Sequence, residues 1–190
     1  MEAMTVRSQG PWVGLPWFLT TPPAAGASNV DRPRLHAALD EAVAASPVTI
    51  VVAPTGCGKT TAVADWARDR ASTVWVTAVD GVDTVRTLRA ALLGAVSPVA
   101  QMELTALPDD AAGPSPADLL GMLSGVTTIV LDDAHLLDPT VLNAMLLSDV
   151  VLRSGLVRVV LVGQPLVSRA TVRAVAAGLV STVDARQLAF

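Results

Sequence analysis

Residues 48–61 read VTIVVAPTGCGKTT, and this stretch decides the fold. Its first part, 48–53, is a continuous apolar and β-branched run, as expected of a parallel strand buried on both faces. Its second part sets Gly56 and Gly58 ahead of Lys59, Thr60 and Thr61. Glycine has no Cβ, so the backbone can curl there and turn its N–H groups inward around an anion. A helix starting near Lys59 aims the positive end of its dipole at the same point. Ala53, Pro54, Thr55, Gly56, Cys57, Gly58, Lys59, Thr60 and Thr61 thus form a phosphate-binding loop, with alanine at the usual first glycine. In such a loop Lys59 reaches the β- and γ-phosphates of a nucleotide, and the Thr60 hydroxyl serves Mg2+. Lys59 is the sole lysine of the chain. Cys57 has no base beside it apart from the phosphate-binding residues, which argues against a nucleophile.

Outward from this loop, strands and helices alternate. After a helix from Pro33 and the strand 48–53, the pattern predicts a helix at 59–71, a strand at 73–79 and a helix at 84–96. A breaker-rich loop spans 97–115, and a short helix at 116–124 leads into the strand 127–131. The helix 139–154, the strand 156–162, the helix 167–177 and the strand 179–184 complete the series. Five strands separated by helices imply an α/β P-loop NTPase fold, a parallel sheet with helices on both faces. Residues 1–30, rich in proline and glycine, read as an extended leader: either an arm whose Trp12, Trp17 and Phe18 dock on the domain surface or a disordered tail. Residues 31–190 read as the nucleotide-binding domain. Asp31 is the expected helix cap, with Leu35, Leu39, Ala42 and Val43 on one face.

A phosphate loop needs an acidic partner for magnesium. The strand 127–131 is followed by Asp132 and Asp133, at the carboxyl edge where ligands bind in open α/β sheets. Asp132 is expected to hold Mg2+ through water, and Asp133 to orient or activate the attacking water. His135 can touch the γ-phosphate side, but the role expected first is a satisfied structural histidine. Gln164, at the end of the strand 156–162, is the candidate polar group facing the γ-phosphate. Guanine-specific enzymes use an Asn-Lys-x-Asp element, which a chain with Lys59 as its one lysine cannot supply, so an adenine nucleotide is favoured.

Composition excludes several other classes. Apolar residues are 52% and charged residues 16% of 190, which is incompatible with intrinsic disorder. Thirteen basic and 17 acidic residues leave a net charge of −4, so no basic field invites direct nucleic-acid binding. One cysteine rules out a disulfide framework. The uncharged stretches at 8–30 and 42–58 are interrupted by proline and glycine and make no membrane-spanning helix. A cytoplasmic chain is expected.

The residues also resemble a known family. Arg32-Pro-Arg-Leu35, residues 51–61 with Asp65-Trp66, Trp75-Val-Thr77, Val130-Leu-Asp-Asp-Ala-His135 and Arg186-Gln-Leu-Ala-Phe190 occur in one order. Together they resemble the STAND-class ATPase domain of the large, maltose-activator-like LuxR-type transcription regulators, over about residues 15–190. The resemblance implies a switch in which ADP holds a closed state while ATP and an inducer permit homo-oligomerisation. It assigns nucleotide and magnesium roles to Lys59, Thr60, Asp132 and Asp133. That family often carries serine and arginine where this chain has Gly163 and Gln164, which bears on γ-phosphate sensing. It also continues into winged-helix, helical-repeat and helix-turn-helix segments that carry inducer and DNA recognition. The expectation is therefore an excised domain or a truncated relative. The competing expectation is a self-sufficient P-loop ATPase or small-molecule kinase. A kinase needs a substrate insert or an arginine-rich lid, and the loop 97–115 holds neither Arg nor Lys.

Overall fold

The structure, a computed structural model, describes residues 17–24, 32–70, 72–80, 84–96, 115–123, 125–137, 140, 142–143, 151, 155–164 and 169–188. Five strands form one sheet: β1 (Val48–Val52), β2 (Thr73–Thr77), β3 (Thr127–Asp132), β4 (Val157–Gly163) and β5 (Val180–Val183). All pairings are parallel, and the spatial order is β2-β3-β4-β1-β5. The helices are α1 (Pro33–Ala45), α2 (Lys59–Arg68), α3 (Thr84–Val96), α4 (Pro116–Gly121), α5 (Arg169–Ala176) and α6 (Ala185–Leu188). Among the described residues no helix is long and apolar enough to cross a membrane.

Side-chain alternation sorts the core into two layers. Val48 and Ile50 of β1, Val74 and Val76 of β2, Ile129 and Leu131 of β3 and Val159 and Leu161 of β4 pack with Leu88 and Leu92 of α3 and Leu119 of α4. Val51, Trp75, Val130, Val160 and Val162 point the other way, against Leu35 and Leu39 of α1 and Val63 and Trp66 of α2. Both faces of the sheet are therefore covered, which is why its strands read as apolar runs rather than alternating ones.

Several boundaries differ from the sequence expectation. β3 runs one residue further, because pairing with β2 continues through Thr77 opposite Asp132. β4 is shifted to 157–163 and ends with Gly163 opposite Val52 of β1. β1 stops at Val52 and β2 at Thr77, although the Ala78 amide still donates to the Asp132 carbonyl at 2.9 Å. β5 is shorter by a residue at each end. α2 ends at Arg68, where the chain tightens and the Arg70 amide bonds Ala67 O at 3.2 Å. α4 ends at Gly121 through a similar bond from Met122 to Leu119 O, and α5 gives way to Gly178 at φ 69°. The N-cap of α1 is Arg32, with no side-chain cap, while Asp31 lies outside the described residues. Residues 97–114 of the expected loop and most of the expected helix 139–154 also lie outside them.

Residues 17–24 are packed on the sheet's β2 edge through a 3₁₀ turn, Trp17–Leu19. Leu19 is 1% exposed and Phe18 is 52% exposed. The Pro23 carbonyl accepts a hydrogen bond from Arg68 of α2. Among the described side chains of this segment, Leu19 is the buried one. Leu19→Ala should therefore lower unfolding free energy by about 2–5 kcal/mol, whereas Phe18→Ala should stay within about 0.5 kcal/mol of the parent. Urea unfolding of the two variants compares them, and equal stabilities would show that Leu19 is not buried in solution.

Candidate functional site

The phosphate loop takes the shape its glycines permit. Gly56 and Gly58 have φ of 85° and 71°, in the left-handed region where a Cβ is strained. Gly58 is the N-cap of α2 and offers no side-chain cap. The first intrahelical bond comes from the Ala62 amide to Gly58 O at 3.0 Å. The preceding N–H groups of Lys59, Thr60 and Thr61 have no intrahelical acceptor and can receive an anion. Lys59 Nζ donates to the carbonyls of Ala53 at 2.8 Å and Pro54 at 3.0 Å. An ammonium carries three donors, so one remains for an anion in the cleft that Lys59 lines.

That cleft has a volume of about 280 Å³. Thr55, Gly56, Gly58, Lys59 and Thr60 form one wall, and Asp133, His135, Gly163 and Gln164 line it from the ends of β3 and β4. The strand order explains the meeting. β4 pairs with both β1 and β3, so its carboxyl end emerges between the phosphate loop and the two aspartates. Gln164 is exposed at this rim; Pro54, Cys57 and Thr61 are exposed elsewhere on the loop and helix start, and Ala53 is buried. Among the described residues, then, the cleft brings Lys59, Thr60, Asp133 and Gln164 together; Cys57 and Thr61 do not line it.

Asp132 does not line the cleft; it lies buried behind Thr60, which does. It is 2% exposed and accepts a hydrogen bond from the Thr60 hydroxyl at 2.9 Å. Burial pushes its carboxyl up from the ordinary 3.8 to about 6, and the neighbouring Asp133 charge adds to this. The Thr60 hydroxyl, the Asp133 amide and Lys59 act in the opposite direction. Hydroxyl and carboxylate oxygens side by side are hard donors that suit Mg2+, an ion that keeps several waters and needs few protein ligands. Among the described residues no cluster of three His, Cys, Asp or Glu side chains forms a denser metal site.

Two residues stand closer to the site than the sequence suggested. Arg32 places its guanidinium 3.5 Å from where a Cβ on Gly58 would lie, and it donates to Leu188 O at 3.3 Å. Its signal was its place at the head of the Arg32-Pro-Arg-Leu35 match. His135, for which the sequence favoured a satisfied structural role over one on the γ-phosphate side, lines the cleft with Nδ1 buried and without a hydrogen-bond partner. Asp133 adopts φ 51°, the one positive φ outside glycine among the described residues. Such conformations cost free energy and gather at functional sites.

A parallel sheet with a glycine-rich loop opening a helix after β1, and an aspartate at the end of β3 bonded to that helix, defines a P-loop NTPase. The chain belongs to the AAA domain family, whose match spans residues 44–170. No curated protein matches it. Among solved structures it is similar to the Walker-type ATPase PABY2304 of Pyrococcus abyssi, at 16% identity and a TM-score of 0.51, over 75% of this chain and 47% of that one. It is similar also to Cdc6p from Pyrobaculum aerophilum, again at 16% identity and a TM-score of 0.51, over 85% of this chain and 47% of that one. At such identity the likeness concerns the fold. The chain spans about half the length of each.

The buried carboxylate has a measurable consequence. Because the folded value of Asp132, about 6, lies above the ordinary 3.8, the fold binds its proton more tightly than the unfolded chain does. Stability from this group is present below about pH 4 and is lost as pH rises through 6. Asp132→Asn keeps an acceptor for Thr60 and removes the charge. Without Mg2+ or nucleotide it should be more stable than the parent by at most about 3 kcal/mol at pH 8, and by about half that at pH 5. Denaturant titrations at both pH values test this, and a variant less stable than the parent at pH 8 contradicts it.

Proposed function

We propose that this AAA domain binds Mg·ATP and hydrolyses it slowly, as the nucleotide switch of a signal-responsive transcription regulator. The observation that carries the nucleotide part is the Thr60–Asp132 hydrogen bond, which couples the helix after the phosphate loop to the acidic end of β3. In this reading the loop amides and Lys59 hold the β- and γ-phosphates, and Thr60 and Asp132 hold Mg2+. The ion, when bound, neutralises charge on the phosphate oxygens. Asp133 aligns the attacking water and accepts its proton, and Gln164 meets the γ-phosphate side from the end of β4. Cys57 lies on the loop without a chemical role.

The regulatory part rests on the resemblance to STAND-class, maltose-activator-like LuxR-type regulators. ADP then holds a closed state and ATP permits self-association, while sensor and DNA-binding segments of the whole protein read the inducer and the operator. With a net charge of −4, this chain itself contacts no DNA.

Two substitutions separate binding from chemistry. Lys59→Ala removes a charged contact to phosphate and should weaken Mg·ATP binding about ten- to a hundredfold in calorimetry. Asp133→Asn should bind Mg·ATP about as well as the parent while hydrolysis falls by about 10²–10⁴. Unchanged affinity in the first variant rejects the phosphate-loop assignment; unchanged turnover in the second assigns the water to another residue.

A further inference from the structure

Asp133 heads one tight turn and His135 lies within it. The Leu136 amide bonds Asp133 O at 2.8 Å and the Leu137 amide bonds Ala134 O at 3.2 Å, which closes the 3₁₀ turn Ala134–Leu136. Both side chains line the cleft. The Asp133 carboxylate is half-exposed, and among the described residues His135 is the one basic side chain within ion-pair reach, Nδ1 standing 4.0 Å from Oδ1. That is too long for a hydrogen bond. Yet Nδ1 is buried without any partner, a state that costs about 1–3 kcal/mol.

Gly163 shapes this arrangement. A Cβ there would lie 3.1 Å from His135 Nδ1 and 3.4 Å from the backbone nitrogens of Ala134 and His135. The bare backbone at the end of β4 therefore admits the imidazole. Because Nδ1 is shut away from solvent, this atom is badly placed to meet a phosphate directly. The carboxylate of Asp133, 4.0 Å away, stands a short step beyond hydrogen-bond reach, and hydrogen bonds of this kind are often long before substrate binds.

We infer that His135 is a positioning residue for Asp133: its Nδ1–H donates to the Asp133 carboxylate and holds it in the orientation that aligns the attacking water. This rests on the reading of Asp133 as the water-aligning group. The histidine fixes the carboxylate, as an outer partner fixes a functional group in other sites.

Phosphate release from ATP and Mg2+ under single-turnover conditions, with the purified chain in excess, tests it. His135→Ala should slow release about ten- to a hundredfold while ATP affinity changes by less than about twofold. His135→Asn, whose amide N–H stands near the place of Nδ1–H, should restore most of the rate, and His135→Gln should not. A parent-like rate in His135→Ala, or equal rates in the Asn and Gln variants, overturns the positioning role alone, provided Asp133→Asn is slow in the same assay. A parent-like rate in Asp133→Asn overturns both readings, as does the absence of release by the parent. Imidazole ¹⁵N resonances supply a readout without turnover. The chain has two histidines, and His36→Gln identifies which signal belongs to His135. The proton should sit on Nδ1 in the parent and redistribute in Asp133→Asn; a proton on Nε2 in both overturns the inference.

Discussion

The insertion of β4 between β1 and β3 is the constraint on which the site depends. β1 carries the phosphate loop and β3 carries the aspartates, yet the two strands do not pair. They are held at a fixed spacing by β4, whose ladders run Val48–Val52 against 159–163 and Thr127–Leu131 against 157–161. A slip of one residue in either ladder would turn Val160 and Val162 from one apolar layer to the other. The layers of helices on both sides resist that exchange. Register in the sheet is thus what brings Gly163 and Gln164 up beside the loop, and leaves room for an imidazole at Gly163.

Against that rigid floor the site holds charge in an unfavourable setting. Asp132 is buried, and burial raises its carboxyl to about 6 despite the Thr60 hydroxyl and Lys59 nearby. An apolar or amide side chain would serve folding better at this position. A carboxylate that is costly to ionise alone is one that a divalent cation beside it would stabilise.

The helix that follows the loop is anchored from behind. Trp66 of α2 is buried and donates Nε1–H to Asp40 of α1 at 3.0 Å, and Arg70 stacks over the indole ring at 4.2 Å while pairing with Asp40. Asp65 binds Arg68 at 2.7 Å, and Arg68 reaches the Pro23 carbonyl. α2 is consequently joined to α1 and to the segment 17–24 at its far end, while its first turn stays open to the cleft.

Sequence alone determined the local parts. The β-branched run of β1, the glycines at 56 and 58 and the lysine after them specify a strand, a loop and a helix start through short-range sterics, so the parallel α/β class and the phosphate loop were legible. Asp132 and Asp133 were legible as carboxylates at a strand end. Tertiary structure decided which groups meet. The pairing that places β4 between β1 and β3 is non-local, and no periodicity encodes it; from it follow the Thr60–Asp132 bond at 2.9 Å and the entry of Gln164 into the cleft. The same holds for His135 and Arg32. A histidine two residues past an aspartate is ambiguous in sequence, because whether its Nδ1 finds a partner depends on Gly163 from another strand. The Arg32-Pro-Arg-Leu35 match marks Arg32, but its nearness to the loop appears only once folding lays its guanidinium beside Gly58.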